Sequence, residues 1–409
     1  MNLNFQCRSC GHKKGALILD LGLQPLANNL LHEEDLSKPE PKFPLRLALC
    51  QNCWLLQILD LVPPVQLFSE YLYFSSFSDL MLNHSKQAAE RYIREFDLGS
   101  NNLVVEIASN DGYFLQNFKA AGVGSLGIEP AKNIAKVAQA KGIETLVEFF
   151  GADLAEKLAA ANRRADLILG NNVFAHAPDT NDFVGGLRAL LKPDGRIILE
   201  FPYAADFIEN SEFDTIYHEH VFYFSLTALK PLFERHGFSI FHVERLPIHG
   251  GSLRLFAGIQ SAHAVQSSVA SLLEEEGKKG LNRLEYYEGF ANRVLALKHE
   301  LLNVLHELKQ KGKRIAAYGA SAKGSTLLNF FELADETFEF VADRSTYKQG
   351  RLTPGTHIPI VPPKSLVEKM PDYTVLLTWN FADEILAQQK EYREKGGKFI
   401  IPIPTVKIV

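Results

Sequence analysis

Hydrophobic positions follow two periods along this chain, and the alternation between them predicts the fold. From residue 103 onward, short runs of consecutive apolar residues read as strands buried on both faces. They alternate with stretches in which apolar residues recur at helical spacing. Leu103–Ile107 reads as a strand, 108–112 as a turn and 113–121 as a helix; further strands are predicted at 125–128, 144–147, 167–169, 197–201, 239–243 and 253–257. Seven strands with helices between the first five predict a doubly wound α/β domain. A helix over about 79–97 precedes it. A second unit begins at Arg314, with a strand at Ile315–Tyr318, a turn over 319–324, a helix over 325–331 and strands at 338–342, 375–378 and 399–403. Between the two units, residues 264–311 predict a helical connector. There Phe290, Val294, Leu297, Leu301, Leu305 and Leu308 are spaced 4, 3, 4, 4 and 3 apart, one apolar stripe on a packed helix. The charges of 274–279 read as a solvated face.

Composition bounds the function. With 46% hydrophobic and 22% charged residues, the 409-residue chain is globular, with room for two to three domains at roughly 150 residues each. The 48 acids against 43 bases leave a net charge of −5, which argues against a nucleic-acid partner. The amino terminus lacks the apolar segment of a signal peptide, and no apolar run approaches the ~20 residues that span a bilayer. The expectation is a cytoplasmic protein with no membrane partner, compatible with a monomer.

All four cysteines lie within the first 53 residues, as two CxxC pairs, Cys7/Cys10 and Cys50/Cys53, separated by 39 residues. Each CxxC turn converges two thiolates, and two turns complete a tetrahedral S4 shell suited to zinc. Two disulfides or free core cysteines are the alternatives, the first disfavoured in a reducing compartment and the second uncommon in paired CxxC. Four protein ligands leave no open coordination position, so the zinc is expected to be structural. The intervening stretch has room for a small β-ribbon.

In the turn after the first predicted strand, Glu106-Ile107-Ala108-Ser109-Asn110-Asp111-Gly112, only Gly112 survives from an ExGxGxG pattern. Ala108 and Asn110 would hinder the close backbone approach a dinucleotide pyrophosphate needs. S-adenosylmethionine (SAM), which has no phosphate, remains compatible; a turn without ligand is the alternative. Glu129 ends the second strand, 17 residues beyond Gly112, where a carboxylate accepts ribose hydroxyls. Glu106 and Asp111 are candidates near the methionine amino group, Asn171 and Asn172 close the fourth strand, and Asp153 or Phe150 is a candidate for the adenine.

Tyr217-His218-Glu219-His220 is the densest cluster of proton-transfer groups. Histidine serves as a base near neutrality, a neighbouring carboxylate orients it, and a tyrosine donates to an oxyanion. Satisfied buried histidines or a metal held by His218 and His220 are the alternatives. His176 is a further candidate facing the same cleft. His249-Gly250-Gly251-Ser252-Leu253-Arg254 offers glycines for close approach and an arginine for an anion. In the second unit, the Ser321-Ala322-Lys323-Gly324 turn can cradle a diphosphate, with Lys323 as countercharge, and Asp343 is placed to meet a ribose hydroxyl. A sheet that only buttresses the cleft is the alternative.

In order along the chain stand the two CxxC pairs, YLYFSSFS, EIASNDGYFL, GNNVFAHAPD, YHEHVFYFS, HGGSLR and YGASAKGSTLLN. That set resembles the nucleotide-sugar C-methyltransferases of branched-deoxysugar pathways over nearly the whole chain. The resemblance implies a zinc-binding domain at 1–78, a SAM-binding methyltransferase domain at 79–263, the helical connector at 264–312 and a Rossmann-like domain at 313–409 that binds the sugar nucleotide. It implies methylation at C-3 of a nucleoside-diphosphate 4-keto-deoxysugar, with His220 as base and Tyr217, Glu219, His176 and Tyr73 around the reacting sugar. An NAD-dependent sugar-nucleotide oxidoreductase or epimerase using the second unit is the rival activity. Because the chain is mildly acidic, an anionic substrate has to be met by local groups such as Lys323, Arg254 and helix termini.

Overall fold

A computed structural model of the chain describes residues 5–68, 74–248 and 250–409. Tyr73 and His249 lie outside the described residues.

Three sheets organise the molecule. The first is antiparallel. Gly15–Pro25 pairs with Lys42–Cys50, the ribbon expected between the cysteine pairs, and Lys42–Cys50 pairs with Leu56–Ile58. Its fourth strand, Phe222–Tyr223, comes from the segment just after the YHEH cluster, with Leu56 opposite Tyr223 and Gln57 opposite Phe222. A small cysteine lobe has little core of its own. Here Leu47, Leu49 and Leu56 belong to a hydrophobic cluster that continues through Phe174, Phe201 and Phe213.

The second sheet has seven strands in the order Phe238–Leu246, Ser252–Ile259, Leu191–Pro202, Ala165–Asn171, Leu103–Ile107, Gly124–Ile128, Thr145–Leu146. Ser252–Ile259 runs antiparallel to both neighbours, and the other pairings are parallel. Every predicted strand of this domain is present. That expected at 144–147 shrinks to Thr145–Leu146, while that expected at 197–201 extends to Leu191–Pro202. The third sheet has six strands in the order Ile360–Val361, Val341–Ala342, Ile315–Tyr318, Tyr373–Leu376, Lys398–Ile401, Lys407–Ile408, all parallel except the last. Its two outermost strands are two residues each, too short to leave a hydrophobic period.

Strand order reverses between Leu103–Ile107 and Ala165–Asn171 in one sheet, and between Ile315–Tyr318 and Tyr373–Leu376 in the other. Such switch points open a crevice at the carboxyl ends of the strands.

Helices Ser267–Lys279 and Phe290–Gln310 form the connector, and all six residues of the predicted stripe are buried. The solvated reading of 274–279 needs one correction. Glu276 is buried, accepting hydrogen bonds from Leu226 N (2.8 Å), Thr227 N (2.7 Å) and Tyr203 Oη (2.8 Å). A carboxylate at the amino terminus of helix Leu226–Arg235 complements its free N–H groups and dipole. Among the described residues, no helix is long and apolar enough to cross a membrane.

Candidate functional site

A cavity of about 680 Å³ is lined by the carboxyl-end loops of both parallel sheets and by the YHEH segment. The two switch points thus share one cavity.

On the seven-stranded side, the Ala108–Gly112 turn carries three left-handed residues, Ala108 (φ 53°), Asn110 (φ 49°) and Gly112 (φ 78°). At Gly112 a Cβ would also lie 2.3 Å from Ile143 Cδ1, so a larger residue there would have to displace that side chain. Asn110 is held in place by its own bonds. Its Oδ1 accepts from Ser75 N (2.9 Å), and its N–H donates to Glu129 Oε2 (3.0 Å). Glu129 Oε1 accepts from Ala131 N (2.9 Å). Ala108, Asn110, Glu129, Asn171 and Asn172 border the cavity as expected, and burial pushes the Glu129 carboxyl up to about 7. Phe150 borders it and Asp153 does not.

Glu106, Asp111 and Gly112 do not border the cavity. Glu106 is buried, and desolvation together with the charges of Glu129 and Asp111 raises its pKa well above the usual carboxylate range. Asp111 pairs with Lys141 Nζ at 3.2 Å. Glu106 Oε2 and Asp111 Oδ1 are buried and, among the described residues, have no hydrogen-bond partner.

The YHEH segment separates into distinct roles. His220 Nδ1 faces the Thr215 carbonyl (3.0 Å), which only accepts, so Nδ1 carries the hydrogen and Nε2 presents a lone pair. Tyr217 Oη lies 2.7 Å from that Nε2. Both residues border the cavity, as does His176, whose ring centroid is 4.9 Å from that of His220. Burial lowers the His176 pKa to about 4, so it is neutral near pH 7. His218 turns away and donates to the Pro44 carbonyl (3.1 Å), so the two histidines do not converge on a metal position. Glu219 does not border the cavity or meet the His220 ring nitrogen. Both its oxygens accept from Asn28 Nδ2, at 2.8 and 2.9 Å, and Asn28 is the residue that reaches the cavity.

The HGGSLR segment is corrected most. Arg254 is buried, binds Glu200 Oε2 through Nε (3.1 Å) and Nη2 (2.9 Å), and reaches Glu244 Oε2 through Nη1 (3.2 Å). It neutralises the chain's own carboxylates and leaves none of its charge for a ligand. Gly250 and Gly251, both at positive φ, let backbone approach the Glu212 and Asp206 carboxylates, where a Cβ would lie 2.7 and 2.2 Å away. The close neighbours of these glycines are the chain's own carboxylates.

On the six-stranded side, Ser321 and Lys323 border the cavity. Ser321 caps helix Ala322–Phe331, its Oγ accepting from Gly324 N (3.0 Å). Lys323 Nζ sits 4.7 Å from the Trp379 ring centroid and, among the described residues, has no hydrogen-bond partner. Asp343 stays out of the cavity: its Oδ2 accepts from Ala320 N (2.7 Å) and its Oδ1 from Ser345 N (2.8 Å). Sequence reasoning missed Asn28, Lys348, Thr378 and Asn380, which border the cavity from segments with no motif of their own, and Ser75, which sits inside YLYFSSFS but was not singled out.

The Sγ atoms of Cys7, Cys10, Cys50 and Cys53 lie within 4.8 Å of one another, with Cys7–Cys53 at 3.5 Å and Cys10–Cys50 at 3.6 Å. A tetrahedral zinc with Zn–S of about 2.3 Å needs S···S separations of about 3.8 Å. Cys10 N and Asn52 N donate to the Cys7 and Cys50 sulfurs, at 3.5 and 3.4 Å, a pattern that supports thiolate charge. The donor set fits a structural zinc.

Family models match in three consecutive blocks: a zinc binding domain over 7–68, a methyltransferase domain over 81–243 and a C-methyltransferase C-terminal domain over 247–404. C-methyltransferase NovU from Streptomyces niveus is 38% identical over 405 residues, covering 99% of this chain and 96% of that one. Among solved structures, a magnesium protoporphyrin IX methyltransferase from Synechocystis PCC 6803 with bound SAM covers 45% of this chain and 82% of its own, at 16% identity and a TM-score of 0.34. The CcbJ methyltransferase from Streptomyces caelestis covers 43% and 90%, at 12% identity and a TM-score of 0.34. Superpositions that weak carry no argument about this chain. The full-length relationship does: with 38% identity over 99% of this chain and three consecutive family matches, the chain belongs to the SAM-dependent C-methyltransferases.

Proposed function

We propose that the chain methylates C-3 of a nucleoside-diphosphate 4-keto-deoxysugar through an enolate formed by His220. One observation carries this reading: the Thr215 carbonyl fixes the His220 tautomer, so that Nε2, which borders the cavity beside Tyr217 Oη, is the basic nitrogen. The organisation we infer is a zinc-binding domain at 1–78, a SAM-binding domain at 79–263, a connector at 264–312 and a Rossmann-like domain at 313–409 holding the sugar nucleotide.

His220 Nε2 removes the proton at C-3, and the C–H electron pair moves into the C-3–C-4 bond as negative charge develops on the C-4 oxygen. Tyr217 Oη, which faces His220 Nε2 until that nitrogen takes the proton, is assigned to donate toward that oxygen, as an oxyanion hole does, with His176 beside His220. SAM, when bound, would supply an electrophilic methyl on sulfonium for the enolate carbon. Glu129 and the Ala108–Gly112 turn are assigned to the methyl donor. Lys323 and Ser321 are assigned to the diphosphate. With Asp343 away from the cavity, the rival oxidoreductase reading loses its ribose ligand.

The test is proton exchange. Incubated in D2O with a dTDP-4-keto-deoxysugar and no methyl donor, the enzyme is expected to wash deuterium into C-3, read by NMR. His220→Asn should slow that exchange and the complete reaction by about 10²-fold or more. Unaltered exchange in that variant rules out His220 as the base.

A further inference from the structure

The carbonyl that sets the His220 tautomer belongs to Thr215, in the single 3-10 turn Phe213–Thr215. One such turn has too few internal hydrogen bonds to hold its own position. Its anchors come from the far end of the chain. Asp214 Oδ2 accepts from Trp379 Nε1 at 2.7 Å, a buried bond between residues 165 positions apart. Thr326 Oγ1 donates to the Ile216 carbonyl at 3.0 Å. The Phe213 ring stacks on Phe331, with centroids 5.0 Å apart and planes at 15°. Trp379, Thr326 and Phe331 all belong to the six-stranded sheet and its helices. The other face of the Trp379 indole meets Lys323.

We infer that Trp379, acting through Asp214, is a positioning residue: it holds the Phe213–Thr215 turn so that the Thr215 carbonyl keeps His220 in its basic tautomer and in place. This rests on the reading of His220 as the base. The carboxyl-terminal sheet then has two tasks, holding the sugar nucleotide and fixing the base that acts on it. The Asp214 bond is charge-assisted and shielded from water, so its loss lets the turn drift. Small displacements of a catalytic group are costly in rate.

Trp379→Phe keeps the ring and removes the N–H. We expect kcat to fall about tenfold, a fraction of what an ångström of misplacement can cost. KM for SAM and for the dTDP-sugar should stay within about twofold, and C-3 deuterium exchange without methyl donor should fall by the same factor as kcat. Asp214→Leu should match this loss, and the double variant should be no worse than either single one. Asp214→Asn, whose amide oxygen still accepts the indole N–H, should recover most of it. A KM effect on the sugar nucleotide with kcat intact would assign the indole to Lys323 and overturn the inference, as would unchanged kcat and exchange. If Trp379→Phe does not fold, judged by zinc content and melting, Thr326→Val is read by the same measurements, with lowered kcat at held KM supporting and unchanged kcat overturning. His220→Asn runs alongside. Surviving exchange in that variant sinks the base assignment, whereas abolished exchange with an unaffected Trp379→Phe sinks only the positioning role.

Discussion

The strand-to-helix turns of the two parallel sheets use the same clasp with side chains of different length. In each, an acid at the end of the next strand accepts one amide from the turn and one from two residues beyond itself. Glu129 holds Asn110 N and Ala131 N; Asp343 holds Ala320 N and Ser345 N. The longer glutamate reaches the cavity, and the aspartate does not. A carboxylate has about four acceptor sites, so two amides leave Glu129 room for ligand hydroxyls. One methylene thus separates an acid that borders the cavity from one that only braces its loop. Around the brace the six-stranded side also ties down Lys348, which donates to the Ala320 carbonyl at 2.7 Å, and leaves Lys323 as the cation without a hydrogen-bonding partner among the described residues.

The comparison breaks most visibly at the acids. Glu129→Ala should weaken SAM binding by about 10²-fold, the scale of losing a charge-assisted pair of hydrogen bonds. Asp343→Ala should leave SAM and sugar-nucleotide affinity within about twofold while lowering the melting temperature. Calorimetry on both variants decides, and equal losses of SAM affinity would erase the distinction. Lys323→Ala should raise the KM for the sugar nucleotide by about tenfold or more without changing SAM affinity, as loss of a buried countercharge to phosphate does. An unchanged KM would make the second turn a buttress only.

The smallest effect is on pH. The Glu129 carboxyl is raised to about 7 by burial, so it protonates as pH falls through 7. The charged form is the stronger acceptor for ribose hydroxyls, so SAM affinity should fall between pH 8 and 6, by at most about tenfold for one proton. Stability runs the other way. A raised carboxyl binds its proton more tightly folded than unfolded, so its contribution is largest below the ordinary carboxylate range near 4.5 and is lost as pH rises toward 7. Titrating binding in the wild type and in Glu129→Gln checks the assignment, because the variant should lose the slope.

Much of the fold was legible because hydrophobic period reports local burial. Leu103–Ile107 and Ile315–Tyr318 were read to the residue, and the connector stripe from Phe290 to Leu308 is buried at every position. Cavity-bordering residues were legible where a motif and the cavity share one loop, as with His220, Tyr217 and Asn110. Legibility failed where a partner is distant in sequence. Nothing near Arg254 announces Glu200, nothing near Glu219 announces Asn28, 191 positions away, and Glu276 looks like its exposed neighbours until helix Leu226–Arg235 is laid against it. Charged residues carry no period, so their burial is decided by tertiary pairing alone.

The strand Phe222–Tyr223 has a consequence during synthesis. Leu56–Ile58 leaves the ribosome long before its partner exists, and until Tyr223 emerges the cysteine lobe presents an open edge of three residues that are all buried in the finished fold. Such an edge is a template for pairing with a neighbouring nascent chain. Zinc held by the four cysteines can order the lobe early, but in the finished fold its sheet is closed by the segment next to the YHEH cluster. The nascent lobe therefore waits on a strand far downstream, and chains stopped short of Tyr223 are the ones expected to aggregate.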